Sequence, residues 1–179
     1  MGRRALPFAR PLAAAAALAL AAAPVSAQPS AAAVKAAFLT KFPGYVAWPP
    51  PARPGSGAPV VLCLLGGDPF GAAMDGAVRG QQVDGHPLQL RRLAGTDGAG
   101  ACHIAFVQGA GAGAALDGLR SKPVLTVTDE HSGGAHGIVH FSIAQGRVRF
   151  TIDDAAAAER GLTISSRLLA IALSVRQRR

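Results

Sequence analysis

Residues 60–65 read VVLCLL, and the residues that follow them, 66–71, read GGDPFG. Six consecutive apolar residues bounded by turn residues are typical of a strand that is buried on both faces. Gly66 and Gly67 end this strand, and Asp68 before Pro69 favours the start of a short helix. A strand, a tight turn and a helix in this order predict an α/β unit built on a parallel sheet.

The same order recurs further along the chain. Residues 88–93 show a partly alternating strand pattern, and residues 101–107 (ACHIAFV) and 123–128 (PVLTVT) form two further apolar strands. Glycine-rich loops and short helical segments separate these strands. Strands that alternate with helices predict a parallel sheet with helices on its faces.

The later part of the chain predicts a different kind of strand pairing. IVHFSI at residues 138–143 and RVRFTI at residues 147–152 alternate at period two, with AQG between them. This pattern is typical of an antiparallel hairpin. The sequence therefore predicts an α/β fold, a three-layer single domain with a mixed, mostly parallel sheet and an antiparallel hairpin at one edge.

Helices are predicted at both ends of the domain. Apolar side chains recur at helical spacing over residues 31–48; they are Val34, Phe38, Phe42, Tyr45 and Trp48. Pro43 interrupts this segment because it has no N–H to donate, so the helix either kinks there or ends at Phe42. A last helix is expected to begin at Ser165 or Ser166 and to include apolar residues up to Val175.

The first 27 residues resemble a targeting segment. Three arginines precede an uncharged apolar run over residues 11–23, and small residues follow at positions 25–27. A basic region, a short apolar core and a small-residue exit predict a secretory signal peptide. We expect cleavage after Ala27 and an exported domain over residues 28–179. The alternative is an alanine-rich helix of the folded domain.

The charge of the chain argues against nucleic acid as a partner. The 179 residues carry a net charge of +8, and loss of the three arginines of the signal segment leaves +5. Arg176, Arg178 and Arg179 supply three of these charges from a C-terminal tail that we expect to be solvated, so the body of the domain is nearly balanced. Such a body offers no basic groove for nucleic acid.

Candidate ligand-binding residues follow the predicted parallel strands. Asp68, Phe70 and Asp129 lie just after two of them, and ligands of open α/β sheets bind at this carboxyl edge. The alternative is that the two aspartates cap loops and helices. The sequence offers no nucleophile paired with a base, so we expect neither enzymatic activity nor a cofactor. Binding of a small ligand at these residues is an alternative functional hypothesis.

A histidine cluster offers a candidate metal site. His131, His136 and His140 lie within ten residues of one another, beside Asp129 and Glu130. Imidazole and carboxylate groups are ligands of Zn²⁺ and Cu²⁺. The alternative is that these histidines belong to a solvated glycine-rich loop, because no helical motif fixes two of them on one face.

Two cysteines, Cys63 and Cys102, are present. They are too few for a structural zinc site made of three or four cysteines. Cys63 lies inside the first buried strand and Cys102 at the start of the second apolar strand. If these strands are neighbours, an exported protein permits a disulfide between them. The alternative is two separate buried thiols that act as small apolar groups.

Six motifs in a fixed order resemble the YfiR-like family of exported bacterial proteins. They are FLTKFPGYVAWP at 38–49, LCLLGGDPFG at 62–71, CHIAFV at 102–107, PVLTVTD at 123–129, GRVRFTI at 146–152 and GLTISSRLL at 161–169. The likeness spans about residues 31–175, and its strength lies in the order of the motifs rather than in any single one.

The resemblance implies a periplasmic α/β domain, often a homodimer, without catalytic activity. Its best understood member is a repressor that binds the periplasmic sensor domain of an inner-membrane diguanylate cyclase. Other members are thought to serve cyclases or sensor kinases in the same way. The family cysteines that match Cys63 and Cys102 are able to pair. This chain departs from the family pattern at Pro43 and Gly44, and it lacks a second cysteine pair.

Overall fold

The computed structural model describes Gly2 and residues 28–178. Apart from Gly2, the predicted signal peptide therefore lies outside the described residues. Within the described part, no helix is long and apolar enough to cross a membrane.

The strands of the described part are β1 (Val46–Ala47), β2 (Val60–Leu65), β3 (Gln82–Val83), β4 (His86–Leu93), β5 (Ile104–Val107), β6 (Leu125–Thr128), β7 (Val139–Ala144), β8 (Arg147–Asp153), β9 (Thr163–Ile164) and β10 (Ser174–Arg176). The α-helices are α1 (Ala31–Lys41), α2 (Ala72–Val78), α3 (Ala112–Gly118), α4 (Asp154–Glu159) and α5 (Ser166–Ile171).

Eight strands form one sheet in the order β10-β8-β7-β6-β5-β2-β4-β3. The five central strands, β4, β2, β5, β6 and β7, run parallel to one another. The β7–β8 hairpin and the β3–β4 pair are antiparallel. The predicted α/β fold with a mixed, mostly parallel sheet is confirmed, and β10 adds one parallel strand outside the hairpin. β1 and β9 form a separate antiparallel pair.

Two apolar cores cover the two faces of the sheet. Along β2, Leu62 and Leu64 join the larger core, whereas Cys63 and Leu65 join the smaller one. This division follows from the alternation of side chains along a strand. Residues of α1 and α2 pack in the larger core, and Ala112 of α3 packs in the smaller one. Helices on both faces explain why β2 reads as a continuous apolar run.

Helix α1 ends at Lys41, and residues Phe42–Tyr45 continue as a 3₁₀ turn. The break falls where Pro43 has no N–H to donate, in agreement with the predicted end of the helix near Phe42. The expected face is only partly correct, because the buried side chains of α1 are Lys35, Ala36, Leu39 and Thr40. Phe38 is half-buried, and Tyr45 is 39% exposed.

The C-terminal segment differs from the prediction of one helix up to Val175. Helix α5 ends at Ile171, and Ser174–Arg176 pairs in parallel with β8. The tail is also not simply solvated: Arg176 bonds Asp153 at 2.8 Å, and Arg178 bonds Asp154 at 2.7 Å. The tail pairs with the outer edge of β8, and its arginines bind these two carboxylates. Both contacts are long-range, so the helical spacing of the local sequence does not predict them.

Candidate functional site

The carboxyl edge of the parallel sheet collects the loops that follow β2, β5 and β6. At Gly66 φ is +79°, and a side chain there would collide with the backbone carbonyl of Gln108. The two loops therefore pack backbone against backbone, which only glycine permits at this position. Beside them lies a cleft of about 410 Å³ whose lining includes Gly66, Gln108, Gly109 and Thr96.

Asp68 lies at this edge, as predicted, and both of its carboxylate oxygens accept hydrogen bonds. Oδ1 accepts hydrogen bonds from the N–H groups of Phe70 at 2.8 Å and Gly71 at 3.0 Å. Oδ2 accepts from Arg92 Nε at 2.7 Å, and the same guanidinium reaches Asp75 at 2.9 Å. Burial alone would raise the pKa of Asp68, but Arg92 and the two backbone donors lower it below its usual value. Asp68 thus caps the turn between β2 and α2.

Phe70, the second predicted ligand residue, is a core side chain. It is only 6% exposed and stands edge-on against Phe106, with 4.9 Å between ring centroids. Aromatic pairs in this arrangement stabilise a core beyond the area that they bury. Phe70 anchors the turn to β5 and presents little surface to a ligand.

Asp129 belongs to a buried ionic cluster that includes a lysine of α1. Lys35 Nζ lies 2.9 Å from Asp129 Oδ2 and 2.9 Å from Glu130 Oε1. The side chains of Lys35 and Asp129 are 6% and 3% exposed, so neither charge is well solvated. Lys35 was not among the predicted site residues, although a single lysine among the alanines and apolar residues of AAAVKAAFL was the available signal.

Backbone and hydroxyl groups hold the Asp129 loop in place. Asp129 N–H donates to Ser132 Oγ at 3.1 Å, and that hydroxyl donates to the Val107 carbonyl at 2.7 Å. His131 N–H donates to Asp129 Oδ1 at 3.0 Å. Burial acts to raise the pKa of Asp129, but hydrogen bonds from Lys35 and His131 lower it overall. The pKa of Glu130 is lowered as well, mainly by Lys35 acting against burial.

The predicted metal-binding histidines lie in two different places. His131 lies beside Asp129 and Glu130, and one potential ligand atom from each of these three residues lies within 4.8 Å of the other two. Lys35 Nζ already contacts both of these carboxylates. His136 instead stacks on His140, with centroids 3.9 Å apart. Across residues 28–178, no group of three metal donors unites the three histidines, and metal binding by them stays a prediction.

His140 is fixed by its neighbour in the sheet. Its Nδ1 lies 2.9 Å from Thr128 Oγ1, which also accepts the Gly137 N–H at 2.8 Å. Because Thr128 has one hydroxyl proton, that proton is available to Nδ1 of a neutral imidazole. Burial and the nearby His136 lower the pKa of His140, which is consistent with a neutral ring.

Cys63 and Cys102 form a disulfide, which confirms the predicted pairing. Their Cα atoms are 6.0 Å apart, and the residues are separated by 39 positions. Cys63 lies in β2, and Cys102 precedes β5, the strand that pairs with β2. The bond therefore ties the centre of the sheet to the turn at Ala99–Ala101 and lies in the smaller core.

Helix α1 carries an apolar surface groove on its solvent side. The groove has a volume of about 360 Å³ and is lined by Pro29, Ala33, Val34, Ala37, Phe38 and Lys41. Phe38 links it to the hairpin, since its ring lies 5.4 Å from that of Phe150. Two more apolar side chains near the C-terminus, Ile171 and Leu173, are 56% and 51% exposed.

Comparison with known families agrees with this architecture. A family model described as YfiR/HmsC-like matches residues 32–173, which is most of the chain. The chain belongs to the YfiR/HmsC-like family. Among curated proteins, none matches it. The match confirms the resemblance drawn from the six sequence motifs, and it includes α1, the disulfide and the ionic cluster of this YfiR/HmsC-like chain.

Proposed function

We propose that this protein is a periplasmic regulator of cyclic di-GMP signalling. It binds the periplasmic sensor domain of an inner-membrane diguanylate cyclase, or of a sensor kinase, and holds that enzyme in its inactive state. It acts without catalysis of its own. A regulator of this kind works by differential affinity for two states of its partner.

Membership of the YfiR/HmsC-like family over residues 32–173 is the observation that carries this proposal. The side chains at the carboxyl edge support it. The carboxylates of Asp68 and Asp129 form ion pairs with side chains of the same chain, and Phe70 lies in the core. These contacts give the three residues a structural role. A structural role for them agrees with a protein that acts through its surface.

The apolar groove on α1 is the surface that we assign to the partner. Its side chains are almost entirely apolar, with Lys41 at one end. Apolar residues at the centre of an interface supply most of its affinity when a partner excludes water from them. Ala37 is exposed at this groove, so a charge can be placed there without entering the core.

Binding of the purified protein to the purified periplasmic domain of the membrane cyclase encoded nearest to it tests the proposal. We expect saturable binding that Ala37→Glu weakens by about tenfold or more, because a charge is buried without a partner. Ala114→Glu, an exposed alanine of α3 outside the apolar groove, is the matched control and should bind normally. Absence of binding to that domain and to membrane sensor domains recovered from the envelope contradicts the proposal.

Small-ligand binding at the carboxyl edge is a second candidate function, favoured by the cleft of about 410 Å³ beside Gly66 and Gly109. A ligand that binds only the folded state raises its melting temperature by mass action. A thermal-shift screen with divalent metals and cell-envelope metabolites therefore tests it, and no shift with any of them contradicts it. The homodimer implied by the family resemblance is tested separately by sedimentation of the purified protein.

A further inference from the structure

A second cleft lies at the opposite edge of the sheet, where β2, β5 and β6 begin. It has a volume of about 620 Å³ and is bounded by the turns at Pro50–Ala52 and Ala99–Ala101 and by the turn after α4. Five prolines line it, at positions 49, 51, 54, 59 and 123. We refer to it as the proline-walled cleft.

The walls of the proline-walled cleft are preorganised. Proline rings have fixed φ angles and lose little conformational freedom when a ligand packs on them. Gly161 closes one side, and a side chain there would meet the Pro49 ring at 3.4 Å. Cys102, held by the disulfide, also lines the cleft. An apolar body of fitting size therefore meets a surface that is already formed.

The charge lining the proline-walled cleft is of one sign. Arg53 and Arg160 line it, and none of its lining residues is acidic. Neither arginine forms an ion pair with any carboxylate in the described part of the chain. Arg53 uses Nε to reach the Trp48 carbonyl at 2.9 Å, which leaves its two terminal nitrogens available.

Arg160 is the more buried of the two cations. Its Nη1 donates to the Val124 carbonyl and to Thr126 Oγ1, both at 3.3 Å and both uncharged. Burial lowers the pKa of Arg160, and the charge of Arg120 lowers it further. The charges of Glu159 and Asp153 oppose this with a smaller effect. A partly desolvated guanidinium with only neutral acceptors gains free energy when an oxyanion approaches it.

His103 lines the same cleft but serves the structure. Its Nδ1 accepts the Val61 N–H at 3.0 Å, and the ring also hydrogen-bonds the backbone of Ala52. Burial lowers its pKa, and the ring bridges β2 to the proline-rich turn as a neutral group. The two arginines therefore carry the positive charge that a ligand meets.

We infer that the proline-walled cleft binds a small organic oxyanion, a carboxylate or a phosphate ester. Its charged group meets Arg160 and Arg53, and its apolar body packs on the proline rings. Guanidinium groups suit both anions because their paired N–H donors match two oxygens. This site is distinct from the carboxyl edge and from the α1 groove, and it does not depend on the proposed protein partner.

An NMR titration of the ¹⁵N-labelled protein tests the inference with three probes of similar shape: benzoate, phenyl phosphate and uncharged benzamide. We expect saturable shifts at residues 100–103 with one or both anions, and none with benzamide. The arm with the higher affinity identifies the preferred anion. Arg160→Gln should weaken this binding by about tenfold or more, since a charge-assisted hydrogen bond is lost.

Arg149→Gln is the matched control, because Arg149 is exposed and lies outside the proline-walled cleft. It should bind as the wild type does. If Arg160→Gln does not fold, Arg53→Gln provides the same comparison at an exposed position. The inference is overturned if neither anion gives saturable shifts, or if a folded cleft variant binds with unchanged affinity. Because no protein partner is present, that failure leaves the regulatory proposal intact.

Discussion

Lys35 places a positive charge between α1 and the loop after β6, where water has little access. Its ammonium lies within 3.0 Å of three carboxylate oxygens, one of Asp129 and two of Glu130. Such a buried pair adds little net stability compared with apolar residues, yet loss of one partner leaves the other charge uncompensated. The cluster therefore fixes where α1 sits on the sheet.

Lys35→Met is expected to lower the free energy of unfolding by about 3–5 kcal/mol, because Asp129 remains buried without its cation. Chemical denaturation followed by circular dichroism measures this loss. Lys41→Met, on the exposed side of the same helix, is the control and should change the stability by less than about 1 kcal/mol. Equal effects of the two substitutions would show that the cluster is not a buried ion pair.

The ionic cluster also predicts how stability depends on pH. The pKa values of Asp129 and Glu130 are lowered from ordinary values of 3.8 and 4.5. Groups with lowered pKa values stabilise the folded state fully above their unfolded values, and this contribution is lost as pH falls through the folded values. The contribution of the cluster should therefore be level above about pH 5 and fall below it. The lowered pKa values of His103 and His140 add a separate decline in the denaturation midpoint that begins near their ordinary value of 6.5.

Lys35→Met supplies the comparison for the pH series. Without the ammonium, the pKa of Asp129 loses the hydrogen bond that lowers it most. The acid-side slope of stability should then become shallower than in the wild type. A slope that is unchanged in the variant would mean that other carboxylates, such as Asp68 beside Arg92, govern the acid response.

Among the elements, the central strands were predicted well, because fully buried strands leave a strong local pattern. VVLCLL at 60–65 and the hairpin over 138–152 both formed where expected. β10 was not predicted: its residues fit helical spacing, and only the free edge of β8 makes them a strand. The position of Lys35 beside Asp129 was also missed, because a contact across 94 residues leaves no local signal.

The sequence placed Asp68 and Asp129 at the carboxyl edge of the sheet, but it did not show which groups pair with their carboxylates. Asp68 and Asp129 follow parallel strands as expected. Their partners, Arg92 and Lys35, come from β4 and α1, so tertiary packing decides whether the carboxylates are free. The proline-walled cleft was missed for the same reason, since its two arginines are separated by more than 100 positions along the chain.

The disulfide links β2 to the end of the turn that precedes β5, and its removal should mainly affect the unfolded state. Closure of the loop between Cys63 and Cys102 is expected to contribute about 4 kcal/mol in the chain-entropy model. Cys63→Ala and Cys102→Ala should each cause this loss, and the double variant should be no less stable than the single ones. Urea denaturation measures it. Full stability of the single variants would contradict a stabilising role.

At the scale of the whole molecule, the two edges of the sheet differ in charge. At the carboxyl edge, Asp68 pairs with Arg92, and Asp129 and Glu130 share the single ammonium of Lys35. At the opposite edge, Arg53 and Arg160 face a cleft that has no acidic lining. The apolar groove on α1 belongs to neither edge. We therefore assign protein binding to the apolar groove on α1 and anion binding to the proline-walled cleft.

This separation gives the regulatory proposal a clear structural requirement. The partner surface on α1 should be sensitive to Ala37→Glu, whereas Lys35→Met acts on the opposite, buried side of the same helix through stability. A regulator that shifts its partner almost completely between two states must prefer one of them by about 5.5 kcal/mol. Such a preference requires a specific interface rather than general adhesion.

The most direct test is the rate of cyclic di-GMP formation by the full-length partner cyclase in membrane vesicles, with the sensor domain accessible to added protein. We predict that the wild-type protein lowers this rate in a saturable manner. Ala37→Glu should fail to do so, and Ala114→Glu should act as the wild type does. A rate that stays unchanged while the protein demonstrably binds the sensor domain would contradict the proposed repression.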